Sequence, residues 1–369
     1  MLRQEMVAAV REFRAIGGAG MVLDVHTGEV LGMVSLPDFD PNAPGEDDGD
    51  VRFNRAAKGV YEMGSTFKLF TVAMALDSGT TTLRGGYDAS KPLRVARHTI
   101  RDFHAENRWL SVPEILVHSS NIGAAQMALD VGGQAQRRYL GRLGLLSRAA
   151  IELPESGTPL TPKPWRDINT MTVGFGHGIA VSPLQLANAV AAVVNGGLWR
   201  PPTVLLRGGE PLPVGERVFS ARTSSQLRGL MRLVVRYGTG RKADVPGYLV
   251  GGKTGTAEKL VAGRYRRDAR ISSFVGAFPI DAPRYVILAM IDEPKGNKST
   301  LNYATGGWVA APVVGRLITR LAPLLGIAPK VDEELEVKWR PPALAIKKPL
   351  FIAVKQAIAD ARGREIAAN

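Results

Sequence analysis

The chain has 369 residues, 45% of them hydrophobic, which is enough to bury the core of one large domain or two ordinary ones. It contains no cysteine, which excludes disulfide bonds, thiolate metal sites and cysteine nucleophiles. The 47 Lys and Arg against 34 Asp and Glu give a net charge of +13, which favours anionic partners. Nucleic acid is not expected among them, because no nucleic-acid motif is present and the aromatic residues are not interleaved with basic ones.

The sequence also lacks features of membrane insertion. No stretch approaches the roughly 18 consecutive apolar residues that a membrane helix needs. The N-terminal residues MLRQEM are charged where a signal peptide would carry an apolar segment. We therefore expect neither an export signal nor a membrane helix within this chain.

The predicted elements start with an amphipathic helix over residues 4–16, where apolar residues recur at helical spacing before a Gly-Gly break. Residues 19–24 and 29–35 are apolar, β-prone runs joined by His-Thr-Gly, which predicts a hairpin. A Pro- and Asp-rich loop over residues 36–50 follows it.

The middle of the chain is predicted to be mostly helical. Apolar periodicity predicts a buried helix that begins at Ser65, just after a glycine. Residues 112–118 and 122–131 indicate two more helices with a short break between them, and residues 183–195 indicate a fourth that ends at Gly-Gly.

Strand patterns return towards the C-terminus. Residues 248–256, 271–278 and 285–291 are short apolar runs bounded by Gly, Pro or Asp. A last helix over residues 308–325 precedes a poorly packed tail. Strands at both ends with helices between them predict an α+β fold whose antiparallel sheet is assembled from both termini.

Ser65 and Lys68 lie three residues apart on the predicted helix, so both side chains project from one face. A lysine whose pKa is lowered by burial or nearby positive charge can take the proton of a serine and activate it as a nucleophile. Lys68 is therefore a candidate general base. By itself this spacing more often means a helix-capping serine and a solvated lysine.

Ser119 and Asn121 lie in the short break between two predicted helices. Such residues usually cap helices or form turns. In a functional interpretation, the Ser119 hydroxyl relays protons to the leaving group and Asn121 hydrogen-bonds a substrate amide.

Lys253 and Gly255 project to the same face of a predicted strand by period-two alternation. A glycine inside a strand often marks close approach of a ligand or another backbone. The alternative is a solvated edge strand that carries lysine against edge-to-edge pairing.

Together and in this order, the motifs resemble the S-x-x-K, S-x-N and K-T-G set of penicillin-binding proteins and β-lactamases. Flanking segments resemble division-type class B penicillin-binding proteins over about residues 17–327; they are residues 27–30, 41–42, 54–56, 61–68, 174–178, 182–186 and 253–257. The resemblance implies the α+β serine transpeptidase fold, with a five-stranded antiparallel sheet flanked by helices and an inserted all-helical part. We expect a lead-in helix over residues 1–16, a transpeptidase domain over 17–327 and a tail over 328–369.

Three departures accompany the resemblance. Ser120 stands where β-lactamases usually carry aspartate, and Met63 stands where many relatives carry proline, which loosens the turn without removing a reacting group. The family normally carries a cytoplasmic tail, a membrane helix and a non-catalytic domain before this point, and the sequence contains no counterpart of them. By resemblance, the domain works at the periplasmic face of the inner membrane.

The resemblance implies a serine D,D-transpeptidase that cross-links peptidoglycan stem peptides and is acylated by β-lactams. Ser65 would form the acyl-enzyme with Lys68 as general base, and an amine from a second stem peptide would release it. The backbone N–H groups of Ser65 and Thr256 would hold the oxyanion. Lys253, Thr254, Gly255 and Thr256 would bind the substrate and its terminal carboxylate. The resemblance implies no cofactor and no metal, and it implies a divisome glycosyltransferase as partner.

Three alternatives remain open: a D,D-carboxypeptidase, a β-lactamase and a non-catalytic penicillin-binding scaffold. A β-lactamase needs a base for rapid deacylation, and no E-x-x-L-N element follows Asn121. A scaffold is disfavoured because the motif residues are intact; they are Ser65, Lys68, Asn121 and Lys253.

Two further features have a structural and a functional interpretation. His177 lies in a glycine-rich loop, but Ser–Lys chemistry needs no imidazole and the five histidines lack metal-ligand spacing, so a structural role is expected. A basic cluster follows the lysine-bearing strand, and we expect a solvated loop there, with an acidic partner or an anionic lipid-linked precursor as the alternative; the cluster is Arg264, Arg266, Arg267 and Arg270.

Overall fold

A computed structural model describes residues 1–43, 50–95, 98–209, 211–212, 214–261 and 263–330 of the chain. Among these residues, no helix combines the length and apolarity that crossing a bilayer requires. The strands are β1 (Gly17–Asp24), β2 (Val30–Leu36), β3 (Gly86–Asp88), β4 (Leu93–Val95), β5 (His98–Ile100), β6 (Trp109–Ser111), β7 (Leu198–Trp199), β8 (Glu216–Arg217), β9 (Gly251–Val261), β10 (Arg264–Phe278) and β11 (Tyr285–Asp292). The α-helices are α1 (Leu2–Glu12), α2 (Lys68–Asp77), α3 (Val112–Val117), α4 (Asn121–Val131), α5 (Gly133–Arg142), α6 (Asp167–Val173), α7 (Pro183–Val194), α8 (Ala221–Tyr237) and α9 (Ala310–Leu321).

The main sheet has the order β2-β1-β11-β10-β9, and each neighbouring pair is antiparallel. N-terminal β1 pairs along its whole length with C-terminal β11, from Gly17 opposite Asp292 to Asp24 opposite Tyr285. The predicted α+β fold, with a sheet built from both ends of the chain, is therefore confirmed. Strand β9 is an edge strand of the sheet. It lies beside the helices that carry the site.

Both faces of the sheet are buried, as the alternation along β11 illustrates. Its side chains Val286, Leu288 and Met290 lie in one core with α2, α7 and α8, whereas Ile287 and Ile291 lie in a second core with α1 and α9. Burial on both faces explains why β11 reads as a continuous apolar run instead of an alternating one. The helices on the first face position the site.

The hairpin of β9 and β10 is longer than predicted, which corrects the expectation for the basic cluster. Arg264, Arg266 and Arg270 belong to strand β10 and not to a solvated loop. Their backbone pairs with β9 beyond a turn at Gly263, whose positive φ of 77° suits glycine. Pairing across the hairpin overrides the low strand propensity of these charged residues.

The predicted elements match the structure to within a few residues, but several helices and the short strands β3 to β8 were not predicted. The predicted N-terminal helix spans Leu2–Glu12, and the predicted last helix spans Ala310–Leu321. Helices α5, α6 and α8 were not predicted. The tail predicted over residues 328–369 lies mostly outside the described residues, although the backbone N–H of Lys330 donates to the carbonyl of Gly247 over 2.8 Å.

Candidate active site

Ser65 lies in a short 3₁₀ turn, Gly64–Phe67, which runs directly into α2 at Lys68. The helix thus begins as predicted, but its first turn is tighter than an α-helix. The side chain of Lys68 is fully buried, and its Nζ lies 2.9 Å from Ser65 Oγ. The predicted Ser–Lys pair is therefore formed in the structure.

The glycine-rich segment 174–178 packs against the 3₁₀ turn that carries Ser65 and against α2. The N–H of Gly64 donates to the carbonyl of Gly176 over 3.2 Å, and Thr71 Oγ1 donates to the carbonyl of Gly174 over 2.7 Å. A Cβ at Gly176 would lie only 2.0 Å from Gly64 O, and Gly176 has a φ of 81°. Only glycine allows this approach.

Lys68 Nζ is surrounded by acceptors from the S-x-N motif. Beside Ser65, it donates to Ser119 O over 2.6 Å and to Asn121 Oδ1 over 2.7 Å, and it lies 3.1 Å from Ser119 Oγ. Burial and the positive charge of Lys253 hold the pKa of Lys68 well below its ordinary value, while Asp102 opposes this shift. A lowered pKa is what a lysine base requires.

Lys253 approaches the same hydroxyl from strand β9. Its Nζ donates to Ser119 Oγ over 2.9 Å and to the carbonyl of Thr254 over 3.2 Å. Its side chain is fully buried, and burial lowers its pKa to about 7. The Ser119 hydroxyl therefore lies between two buried amines, as a proton relay would.

The remaining residues of the K-T-G motif lie beside the nucleophile turn. A Cβ built on Gly255 would lie 2.5 Å from Met63 O, so this glycine marks a close backbone approach. A Cβ on Gly64 would lie 3.3 Å from Thr256 N, which places the Thr256 backbone next to the residue that precedes Ser65. This placement is compatible with the expected oxyanion site.

The threonine hydroxyls of this strand have partners that the sequence did not reveal. Thr254 Oγ1 lies 2.6 Å from Thr239 Oγ1, which follows α8, and Thr256 Oγ1 accepts from the N–H of Gly306 over 3.1 Å. Thr239 is therefore an additional candidate for carboxylate binding. No local pattern marks it, because it joins the site only through the packing of α8 on β9.

Comparison with known proteins assigns the family. The penicillin-binding protein transpeptidase domain model matches residues 18–319. The chain belongs to this family.

Relatives agree with that assignment. The chain is 47% identical over 340 residues to the probable peptidoglycan D,D-transpeptidase FtsI of Caulobacter vibrioides, covering 90% of this chain and 58% of the relative. It is 32% identical to the peptidoglycan D,D-transpeptidase FtsI of Escherichia coli K12, covering 89% and 55%. The chain thus spans a little over half the length of these relatives. The transpeptidase domain of Burkholderia pseudomallei penicillin-binding protein 3 superposes with a TM-score of 0.79 at 34% identity, covering 89% of this chain and 94% of that domain.

In this transpeptidase domain, the S-x-N loop depends on a residue outside the three motifs. Ser119 has a φ of 61°, an uncommon conformation for a residue with a side chain. Ser120, in the position where β-lactamases usually carry aspartate, donates to Asp102 Oδ2 over 2.7 Å. Asp102 could not be identified from the sequence, because it lies in an irregular segment with no helix or strand signal.

His177 packs near the tip of the β9–β10 hairpin, close to the turn at Gly263. Its Nδ1 lies 2.9 Å from Glu62 Oε2, and its ring is 4.5 Å from that of Tyr265. Glu62 Oε1 also accepts from the N–H of Gly178 over 2.7 Å and from Tyr265 Oη over 3.0 Å. These contacts favour the structural interpretation of His177, and they identify Glu62 as a link between three segments.

Met63, which stands where many relatives are expected to carry proline, lies in the turn before Ser65. Its side chain is buried, and its carbonyl accepts from Thr66 Oγ1 over 3.0 Å. The hydroxyl of Thr66 is thus bonded to the backbone, whereas the hydroxyl of Ser65 contacts Lys68.

Proposed function

We propose that this chain is a serine D,D-transpeptidase domain that cross-links peptidoglycan stem peptides through an acyl-enzyme on Ser65, and that β-lactams acylate the same serine. One observation carries the proposal. Lys68 is fully buried with its Nζ 2.9 Å from Ser65 Oγ, and its pKa is lowered by burial and by Lys253. This arrangement favours the neutral amine that serine activation requires.

In the acylation step, Lys68 Nζ takes the proton of Ser65 as its Oγ attacks the carbonyl between the last two D-alanines. The N–H groups of Ser65 and Thr256 stabilise the oxyanion. The peptide C–N bond then breaks, and the departing D-alanine amine receives a proton from Lys68 by way of the Ser119 hydroxyl, which lies 3.1 Å from Lys68 Nζ. An ester between Ser65 and the stem peptide results.

In the second step, the amine of another stem peptide attacks this ester. Lys68 accepts a proton from the attacking amine, the new amide forms, and the proton returns to Ser65 Oγ as the C–O bond breaks. Lys253 and the hydroxyls of Thr254 and Thr256 bind the terminal carboxylate of the donor, and Thr239 adds a hydroxyl 2.6 Å from that of Thr254. Asn121 orients the substrate amide together with Gly255, whose missing side chain leaves the strand open to a peptide.

Transfer to an amine is favoured over rapid hydrolysis by the sequence that follows the S-x-N motif. β-Lactamases need a base for deacylation, and no E-x-x-L-N element follows Asn121.

A donor peptide that ends in D-Ala-D-Ala, offered together with a D-amino acid as acceptor, tests the proposal. Mass spectrometry should find more transfer product than hydrolysed peptide, and Ser65→Ala should form neither. A purely hydrolytic product with rapid turnover of a fluorescent penicillin adduct would indicate a β-lactamase or a carboxypeptidase. Unchanged cross-linking in cells that carry Ser65→Ala would indicate a scaffold.

We also propose that the domain acts in cell division at the periplasmic face of the inner membrane, with a peptidoglycan glycosyltransferase as partner. Its similarity to the FtsI proteins of C. vibrioides and E. coli supports this assignment. A fluorescent fusion should concentrate at the division site, and even distribution along the wall would contradict the role.

A further inference from the structure

Asp102 makes hydrogen bonds to three consecutive residues at the start of α4. Its Oδ2 accepts from Ser120 Oγ over 2.7 Å, and its Oδ1 accepts from the N–H groups of Asn121 over 2.5 Å and Ile122 over 2.9 Å. These three residues directly follow Ser119, whose carbonyl and hydroxyl both face Lys68. One carboxylate therefore fixes the chain on the C-terminal side of the proton relay.

The neighbour of Asp102 fixes the side chain of Asn121. Asn121 Nδ2 donates to the carbonyl of Arg101 over 2.9 Å, while Asn121 Oδ1 accepts from Lys68 Nζ over 2.7 Å. An amide can present either its oxygen or its nitrogen to a partner. The carbonyl of Arg101 requires the nitrogen, so the oxygen is the atom that faces Lys68.

The segment that carries these groups is anchored in a small apolar cluster. Ile100, the last residue of β5, is 6% exposed and packs with Ala125 of α4 and Met171 of α6. Asp102 lies two residues further on, at the N-terminus of α4. The carboxylate is therefore delivered by a strand that belongs to none of the three motifs.

We infer that Asp102 is a positioning residue of the acylation reaction, which holds the S-x-N loop in place and contributes a negative charge that acts on Lys68. The inference rests on the proposed function. Ser120 makes the arrangement possible, because its hydroxyl donates to the carboxylate that comes from another segment.

The charge of Asp102 distinguishes this role from simple helix capping. Two charged groups affect Lys68: Lys253 from β9 lowers its pKa, and Asp102 raises it. Removing the carboxylate charge therefore lowers the pKa of Lys68 further. A larger fraction of Lys68 is then neutral at low pH, and the acidic limb of the acylation rate moves to lower pH.

The test measures the rate constant of acylation by a fluorescent penicillin between pH 5 and 9 for the whole chain. Asp102→Ala should lower it roughly ten- to hundredfold, because Ser119 and Asn121 lose their placement. Asp102→Asn keeps an acceptor for the two N–H groups, so it should lose about fivefold or less at its optimum, the value of one hydrogen bond. The acidic limb of the pH–rate profile of Asp102→Asn should lie at lower pH than that of the wild type.

Asp38→Asn is the matched control, because Asp38 is a surface carboxylate paired with Arg3 of α1. It should leave the rate and its pH profile unchanged. The inference is overturned if Asp102→Asn has the wild-type pH profile, whether or not Asp102→Ala folds. Absence of labelling in the wild type would instead overturn the proposed function, so the two failures are distinguishable.

Discussion

The amine of Lys253 lies 2.9 Å from the hydroxyl of Ser119, which itself lies 3.1 Å from the amine of Lys68. Two buried amines this close cannot both hold a proton at low energy. Burial lowers the pKa of both amines, and the charge of Lys253 lowers the pKa of Lys68 further. Two residues that would both be charged in water thereby favour the neutral amine that we propose as the base.

Removal of the base should abolish most of the reaction. Lys68→Ala is expected to lower the penicillin acylation rate by roughly 10²–10⁴-fold, because general base catalysis is worth about that much. Lys58→Ala, which removes an exposed lysine before the same turn, is the control and should acylate normally. Stopped-flow fluorescence measures both rates, and a Lys68→Ala rate within tenfold of wild type would exclude Lys68 as the base.

Lys253 should make stability depend on pH in a definite direction. Its pKa is about 7 in the folded state and about 10.4 in an unfolded chain, so the unfolded state binds more protons between these values. Stability from this residue therefore rises with pH across that window, by at most about 1.4 kcal/mol per pH unit. Lys253→Met removes this dependence.

Urea unfolding at several pH values measures the effect. The free energy of unfolding of Lys253→Met relative to wild type should be highest below pH 7 and should fall towards pH 10. If the two free energies of unfolding differed by the same amount at every pH, the pKa of Lys253 would not be lowered in the folded state.

The packing of Gly176 beneath Gly64 predicts a strict requirement for glycine. Gly176→Ala places a Cβ 2.0 Å from the carbonyl of Gly64, so it should cost about 2–4 kcal/mol of stability and slow acylation of Ser65. Gly79→Ala is the matched control, because Gly79 has a similar φ of 75° with open space around its Cβ position.

Thermal unfolding and penicillin labelling distinguish the strain of a left-handed backbone from the steric clash of a Cβ with the carbonyl of Gly64. Gly79→Ala should cost only about 1–2 kcal/mol, the penalty for a left-handed backbone, and should label at the wild-type rate. Equal losses of stability and of labelling for both variants would contradict a specific supporting role for Gly176.

His177 should matter for structure more than for chemistry. His177→Ala removes the contacts to Glu62 and Tyr265, so the melting temperature should fall by a few degrees, as a loss of about 1 kcal/mol produces. Acylation should remain within about tenfold of wild type, since we propose Lys68 and not His177 as the base. A loss of acylation as large as that of Lys68→Ala, with normal stability, would assign a catalytic role to the imidazole.

The parts of the fold and site that the sequence predicts are those with local patterns. Ser65 and Lys68 are one helical turn apart, and Asn121 begins a helix, so their neighbours along the chain determine how they point. The sheet follows from apolar runs such as β11. These elements agree with the structure because local and tertiary preferences coincide.

Some of the missed parts depend on contacts between distant segments. Asp102 and Glu62 lie in irregular stretches, and their partners are up to 20 and 203 residues away. The charged residues of β10 were missed for another reason, since they form a strand by pairing across the hairpin with β9 despite their low strand propensity. Helix α8 is different, since Leu227, Leu230 and Val234 are buried at helical spacing and the signal was present in the sequence.

The most direct measurement is the site of covalent modification by benzylpenicillin. Trypsin should release the peptide of residues 59–68. Three of its residues carry a hydroxyl group that could be acylated: Tyr61, Ser65 and Thr66. Fragmentation mass spectrometry is expected to find the penicilloyl group on Ser65, and Ser65→Ala is expected to carry none. An adduct on another residue, or an equal yield from Ser65→Ala, would contradict the assignment of Ser65 as the nucleophile.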